Sequence, residues 1–99
     1  MKTTLENKTL TVYLADRIDT TNAKKVEAEL FAAVDENEKT ADSIVLDMKD
    51  LVYISSSGLR VLLKLRKSKS IPVKVVNVSN DIYEIFEVTG FTEILDVEK

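Results

Sequence analysis

Three consecutive hydroxyls, Ser55, Ser56 and Ser57, followed by Gly58 and Leu59, are the residues of this 99-residue chain best placed to do chemistry. They follow the apolar run Ile44-Val45-Leu46 and lead into an amphipathic pattern, Leu59, Val61, Leu62, Leu63 and Leu65. A helix beginning there turns unpaired N–H groups and the positive end of its macrodipole toward these side chains, and both favour an anion. A serine so placed can accept a phosphoryl group or dock a partner. Equally, serine is a preferred helix cap and needs no further role. Nucleophilic catalysis fits poorly. The segment has neither the GxxxxGK(S/T) spacing of a phosphate-cradling loop nor the G-x-S-x-G turn of a hydrolase. The chain has no histidine, so a hydrolytic triad has no base. A serine phosphorylated by a partner kinase needs only exposure and placement, because the kinase supplies base and metal.

The elements that position these serines follow from periodicity. Thr9 to Leu14 alternates apolar and polar residues and predicts a half-buried strand. A turn at Asn7-Lys8 makes the opening residues its short hairpin partner. Asp19-Thr20-Thr21-Asn22 is a cluster of capping residues, and Ala23, Val26, Leu30 and Val34 then recur at helical spacing until the pattern fades near Glu36-Asn37. Ser43 to Met48 predicts a strand covered on both faces. The next helix starts at Ser56 or Ser57 and ends near Ser68, before Ser70-Ile71-Pro72 breaks the pattern. Val73, Val75, Val76 and Val78 predict another buried strand, lying parallel beside residues 44–46 through a right-handed crossover. Ser79-Asn80-Asp81 opens a short helix with Ile82, Ile85 and Phe86 on its inner face and Gly90 just past its end. Phe91, Ile94 and Leu95 read as a tail packed on the core, in which Leu46, Leu62, Val75 and Phe86 are central. Strand and helix alternate, which argues an α/β fold with parallel crossovers, and the serines fall at the carboxyl ends of its strands, where function concentrates.

Composition narrows the function. With 44% hydrophobic and 31% charged residues the chain has the composition of a soluble globular domain, and residues 1–99 make one. It has no cysteine, hence no disulfide and no thiol chemistry; the missing histidine also removes the usual metal ligand and any phosphohistidine relay. Fourteen basic residues against seventeen acidic give a net charge of -3, which does not suggest direct nucleic-acid binding. No apolar run has the length of a membrane span, and Met1-Lys2-Thr3-Thr4 leads into no signal-peptide core, so membrane insertion is not expected and the cytoplasm is the expected compartment. No cofactor or metal is expected. Asp16, Asp19 and Asp47 have no recognised ligand spacing, and carboxylates near loop ends usually cap or face solvent. Arg60, Lys64 and Lys67 follow the helical repeat and form a basic stripe, either a solvated face or a positive rim for an acidic partner. Gly58, with no side chain, lets the helix start approach a neighbour closely.

Four segments, in order, resemble the STAS domain, and within it the stand-alone bacterial anti-sigma factor antagonists. Leu14 to Asp19 is similar to the segment L-x-G-x-L/I-D, and Ile44-Val45-Leu46-Asp47 to the apolar strand before the signature. Leu51 to Leu59 resembles the signature L-x-F/Y-I/M-D-S-S/T-G-L. Ile85-Phe86, Thr89-Gly90-Phe91 and Ile94-Leu95 resemble the family's closing segment. The chain departs from the pattern twice: Ser55 stands at the signature aspartate and Asp16 at the glycine of L-x-G.

The resemblance implies a small mixed β-sheet with parallel crossovers and flanking helices, and a binding protein rather than an enzyme. It implies phosphorylation at Ser56, with Ser57 the competing acceptor, by an anti-sigma factor that is itself a serine kinase. The unphosphorylated form binds that kinase, the phosphorylated form lets go, and a phosphatase resets the switch. Asp19, Ser55, Ser56, Ser57, Gly58 and Arg60 are then the partner-binding residues. On this reading Gly58→Glu should harm partner binding more than stability. The alternative is a stand-alone STAS subunit docked on the ATPase of a membrane lipid transporter, with the serine region a permanent contact surface.

Overall fold

The computed structural model describes residues 1–99. Strands β1 (Lys2–Glu6) and β2 (Thr9–Ile18) form an antiparallel hairpin closed by Asn7 and Lys8. Both turn residues have positive φ, 50° and 65°, the signature of the tight two-residue turn that matches strand twist. Helix α1 (Ala23–Glu36) leads to β3 (Ser43–Ile54), α2 (Ser56–Ser68) to β4 (Val73–Val76), and α3 (Asn80–Val88) to a two-residue β5 (Asp96–Val97). The sheet order is β1-β2-β3-β4-β5, with β2 to β5 parallel. Ile44 lies opposite Val73 and Leu46 opposite Val75, the expected parallel neighbours. None of the helices is long and apolar enough to cross a membrane.

The sheet is covered on one face only, which corrects the expectation for β3. Leu10, Val12, Leu14, Ile44, Leu46, Met48, Val73 and Val75 point into the core, whereas Thr11, Tyr13, Val45, Asp47, Lys74 and Val76 on the opposite face are half-buried. Each new strand adds beside the last in chain order, so successive crossovers of one hand lay their helices on the same side. Leu30 and Val34 of α1, Leu59, Leu62 and Leu65 of α2, and Ile82 and Phe86 of α3 accordingly join the inward strand residues in one cluster. Leu46, Leu62, Val75 and Phe86 are fully buried, as expected.

Three strand boundaries and one burial position differ from the sequence pattern. Strand β2 runs beyond Leu14 to Ile18, and β3 beyond Met48 to Ile54. The register shows why: Tyr13 faces Asp47 but Ala15 faces Asp50, and Asp16 faces Leu51 but Arg17 faces Tyr53. Two extra residues in β3 are β-bulges that break the period of two, so its buried positions become Met48, Leu51 and Ile54. Strand β4 stops at Val76 because Asn77 takes a left-handed conformation, φ 57°, with its side-chain Nδ2 donating to Asp47 Oδ2 at 3.1 Å. In the tail Leu95 is buried and the Phe91 ring stands 6.3 Å from that of Phe86, but Ile94 is 41% exposed rather than packed inward.

Candidate functional site

The carboxyl ends of β2 and β3 stop side by side, and the loops leaving them form the site. The Ser55 amide donates to the Ile18 carbonyl at 2.8 Å, locking the two exits together. From that point β3 turns directly into α2. Ser55 is the N-cap: its extended backbone, φ -86° and ψ 172°, aims the side-chain oxygen at the Gly58 N–H, which donates to it at 3.2 Å. The Ser55 carbonyl accepts the first helical bond from Leu59 at 3.0 Å.

The three serines therefore differ sharply. Ser55 is 8% exposed with its hydroxyl engaged, so its expected place among the surface residues is corrected: it builds the helix start from inside. Ser56, the first residue of α2, is exposed, and its hydroxyl makes no hydrogen bond within the chain. Ser57 is half-buried in a cleft between α1 and α2 that it shares with Thr20, Lys24, Glu27 and Arg60. No acidic residue occupies the first turn of α2, so nothing there offsets the positive end of the helix.

Gly58 is buried, which corrects the expectation that Gly58→Glu harms partner binding more than stability. A Cβ built on it lies 2.7 Å from Ile54 Cγ1 and 2.9 Å from Ile18 Cγ2. The first turn of α2 folds back over the ends of both strands, and the missing side chain is what lets it sit so low. The neighbours are side chains, not backbone. Gly58→Glu must therefore damage stability first.

Asp19 organises the other loop. Its Oδ1 accepts from the Thr21 hydroxyl at 2.7 Å, the Thr21 amide at 3.0 Å and the Asn22 amide at 3.0 Å. Asn22 answers: its Oδ1 accepts from the Asp19 amide at 2.8 Å and its Nδ2 donates to the Arg17 carbonyl at 2.9 Å. The Thr21 hydroxyl, then the Asn22 amide, hold the Asp19 carboxyl below its ordinary value of 3.8, against a smaller opposing effect of desolvation. Arg17 Nε pairs with Asp19 Oδ2 at 3.1 Å, and the same guanidinium stands 5.1 Å from the Tyr53 ring centre. Asp16, at the glycine position of the family pattern, has φ 63°. The backbone there demands a left-handed residue, and aspartate is among the few side chains that tolerate one.

Arg60 is exposed on α2 and borders the Ser57 cleft. Of the basic stripe, Lys64 pairs with Glu27 at 3.1 Å and so ties α2 to α1, as does Lys69 with Asp35 at 2.6 Å. Arg60 and Lys67 have no ion-pair partner within the chain. Two apolar residues beside the site escaped the sequence reading: Val52, 79% exposed, and Tyr53, 43% exposed. The only sequence signal for them was the lost alternation after Met48.

Comparisons with known proteins agree with this arrangement. A family model described as STAS domain matches residues 1–99. BtrV of Bordetella bronchiseptica, provisionally named an anti-sigma factor antagonist, is 39% identical over 83 residues, covering 81% of this chain and 69% of its own length. The crystal structure of an anti-sigma factor antagonist from Mycobacterium paratuberculosis superposes with a TM-score of 0.82 at 20% identity, covering 98% of this chain and 84% of that one. The Bacillus anti-sigma factor antagonist SpoIIAA superposes in its phosphorylated form with a TM-score of 0.63 at 17% identity, covering 99% and 92%. At such identities the two structures speak for the fold alone. The match along the whole chain and the close relative together show that the chain belongs to the STAS domain family.

Proposed function

We propose that the chain is a cytoplasmic anti-sigma factor antagonist and that Ser56 is its phosphorylated residue. The single observation that carries this reading is the contrast among the serines: only Ser56 is both exposed and free of internal hydrogen bonds, at a helix start with no acid of its own. A serine-kinase anti-sigma factor brings ATP and metal. The Ser56 oxygen bonds to the γ-phosphorus, the bond to the bridging oxygen of ADP breaks, and the hydroxyl proton passes to the kinase's base. The product carries about -1.5 to -2 charge where the partner must pack, which favours release, and the helix N-terminus tolerates that charge without unfolding the domain. A phosphatase restores the binding form.

Asp19, Ser56, Ser57 and Arg60 supply the side chains of the contact surface, while Ser55 and Gly58 contribute by holding the helix start in place. Ser55, a neutral cap, puts no second negative charge next to the phosphate. The test is a release assay with three purified proteins: the chain, its anti-sigma factor kinase and the sigma factor. The unphosphorylated chain should displace the sigma factor, and the phosphorylated chain should not. Displacement by both forms would leave an antagonist without the Ser56 switch, and displacement by neither would favour the docking-subunit alternative.

A further inference from the structure

We infer that Val52 is the apolar anchor of the surface that meets the kinase, an inference that rests on the reading of Ser56 above. Between the pairs Asp16–Leu51 and Arg17–Tyr53, Val52 is the residue without a partner, the extra residue of the second bulge. A bulge takes its residue off the ladder and re-aims the side chain, and bulges gather next to functional sites. Here the device turns an apolar side chain to water, 79% exposed, in a segment whose neighbours Leu51 and Ile54 are buried. Tyr53 flanks it, held by the cation of Arg17, which also pairs with Asp19 of the neighbouring loop. Arg17 thus links Tyr53 near the end of β3 to Asp19 just past the end of β2, and the bond from Ser55 to Ile18 sets the start of α2, with Ser56 exposed on it, at the same strand ends.

The occupant follows from size. Ser56 lies four residues beyond Val52, so the two are at most about 14 Å apart along an extended chain. A stable protein interface covers about 800 Å² on each partner, a disc of roughly 16 Å radius. A kinase that encloses the Ser56 hydroxyl and stays bound therefore reaches Val52. Anchors of such interfaces are buried apolar groups near the centre, surrounded by groups that exclude water. The partner that fits is a serine kinase with an apolar depression beside its catalytic cleft, into which Val52 inserts with Tyr53 at its rim.

The molecule supplies its own control. Val88 is 77% exposed and also a valine, but α3 runs back from the carboxyl end of β4 toward the start of β5, so Val88 sits at the opposite end of the sheet. Val52→Asp, Val52→Leu and Val88→Asp are compared with wild type for affinity to the purified anti-sigma factor kinase, for steady-state phosphorylation and for melting temperature. Val52→Asp should weaken binding at least about tenfold and raise KM with kcat preserved at saturation, a hot-spot effect. Val88→Asp should behave as wild type, Val52→Leu should bind far better than Val52→Asp because it keeps an apolar side chain there, and all variants should melt with wild type. Wild-type affinity in a folded Val52→Asp overturns the inference and leaves the Ser56 switch intact. If wild type binds but gains no phosphate, the switch falls while the Val52→Asp affinity still decides the surface; no binding by wild type overturns both.

Discussion

Gly58→Ala puts the packing of the helix start to a direct test. A methyl group there meets Ile54 Cγ1 at 2.7 Å and Ile18 Cγ2 at 2.9 Å, with Ile18 Cβ at 3.2 Å. Both isoleucines are fully buried, and these atoms are the branches nearest the backbone, which are stiff about χ1. Neither can swing aside, so α2 must lift or the strand ends must part. Overpacking of this kind costs about 1–3 kcal/mol. Against it stands the helix preference for alanine over glycine, at most about 1 kcal/mol in a helix interior and less in a first turn. The net expectation is a loss of about 1–2 kcal/mol, or a melting temperature lower by roughly 4–15 °C in a domain of this size. Urea and thermal unfolding measure it, and an unchanged m-value would show that the denatured state is not the cause. Gly58→Glu, which adds a charge to the same space, should fail to fold stably. An alanine variant as stable as wild type would refute the reasoning, because the cradle would then have room that the distances deny.

Leu62→Ala, at a fully buried position, should destabilise by about 2–5 kcal/mol in chemical denaturation. Asp16→Val should destabilise by about 1–3 kcal/mol although the side chain is exposed, since a β-branched residue is strained at φ 63°; circular-dichroism melts would show it. The folded-state pKa of Asp19 is depressed, so its contribution to stability is present above the ordinary carboxylate pKa and is lost as pH falls through the lowered one. Stability measured against pH should therefore fall less steeply on acidification in Asp19→Asn than in wild type, and Thr21→Val should shrink the difference by removing the hydroxyl that does most to lower the pKa.

The parts of the fold legible in the sequence are those set by local chemistry. Asn7-Lys8 marks a hairpin turn, Ser55 and Ser79 mark helix starts, and Gly90, at φ 80°, marks a helix end. Leucine and valine periodicity gave the three helices and the parallel neighbours β3 and β4. What escaped depends on partners distant in sequence. The bulges of β3 arise from register against β2, so residues 49–54 showed neither period and Val52 and Tyr53 passed unnoticed. Val45 reads as core because its neighbours are apolar, yet its face has no helix over it. The depth of Gly58 is set by Ile18, forty residues earlier, and the burial of Ser55 by the same strand end. The candidate site was legible as a segment. The distinct roles of its three serines were not, since only the folded helix start tells cap, surface and cleft apart.

The most direct measurement is the number and position of phosphates after incubation with the anti-sigma factor kinase and ATP, read by intact mass and phosphopeptide mapping. Wild type should gain a single phosphate on Ser56, Ser57→Ala should gain the same one, and Ser56→Ala should gain none. A phosphate on half-buried Ser57, or none on any of the three serines, would contradict the assignment of Ser56 as the switch.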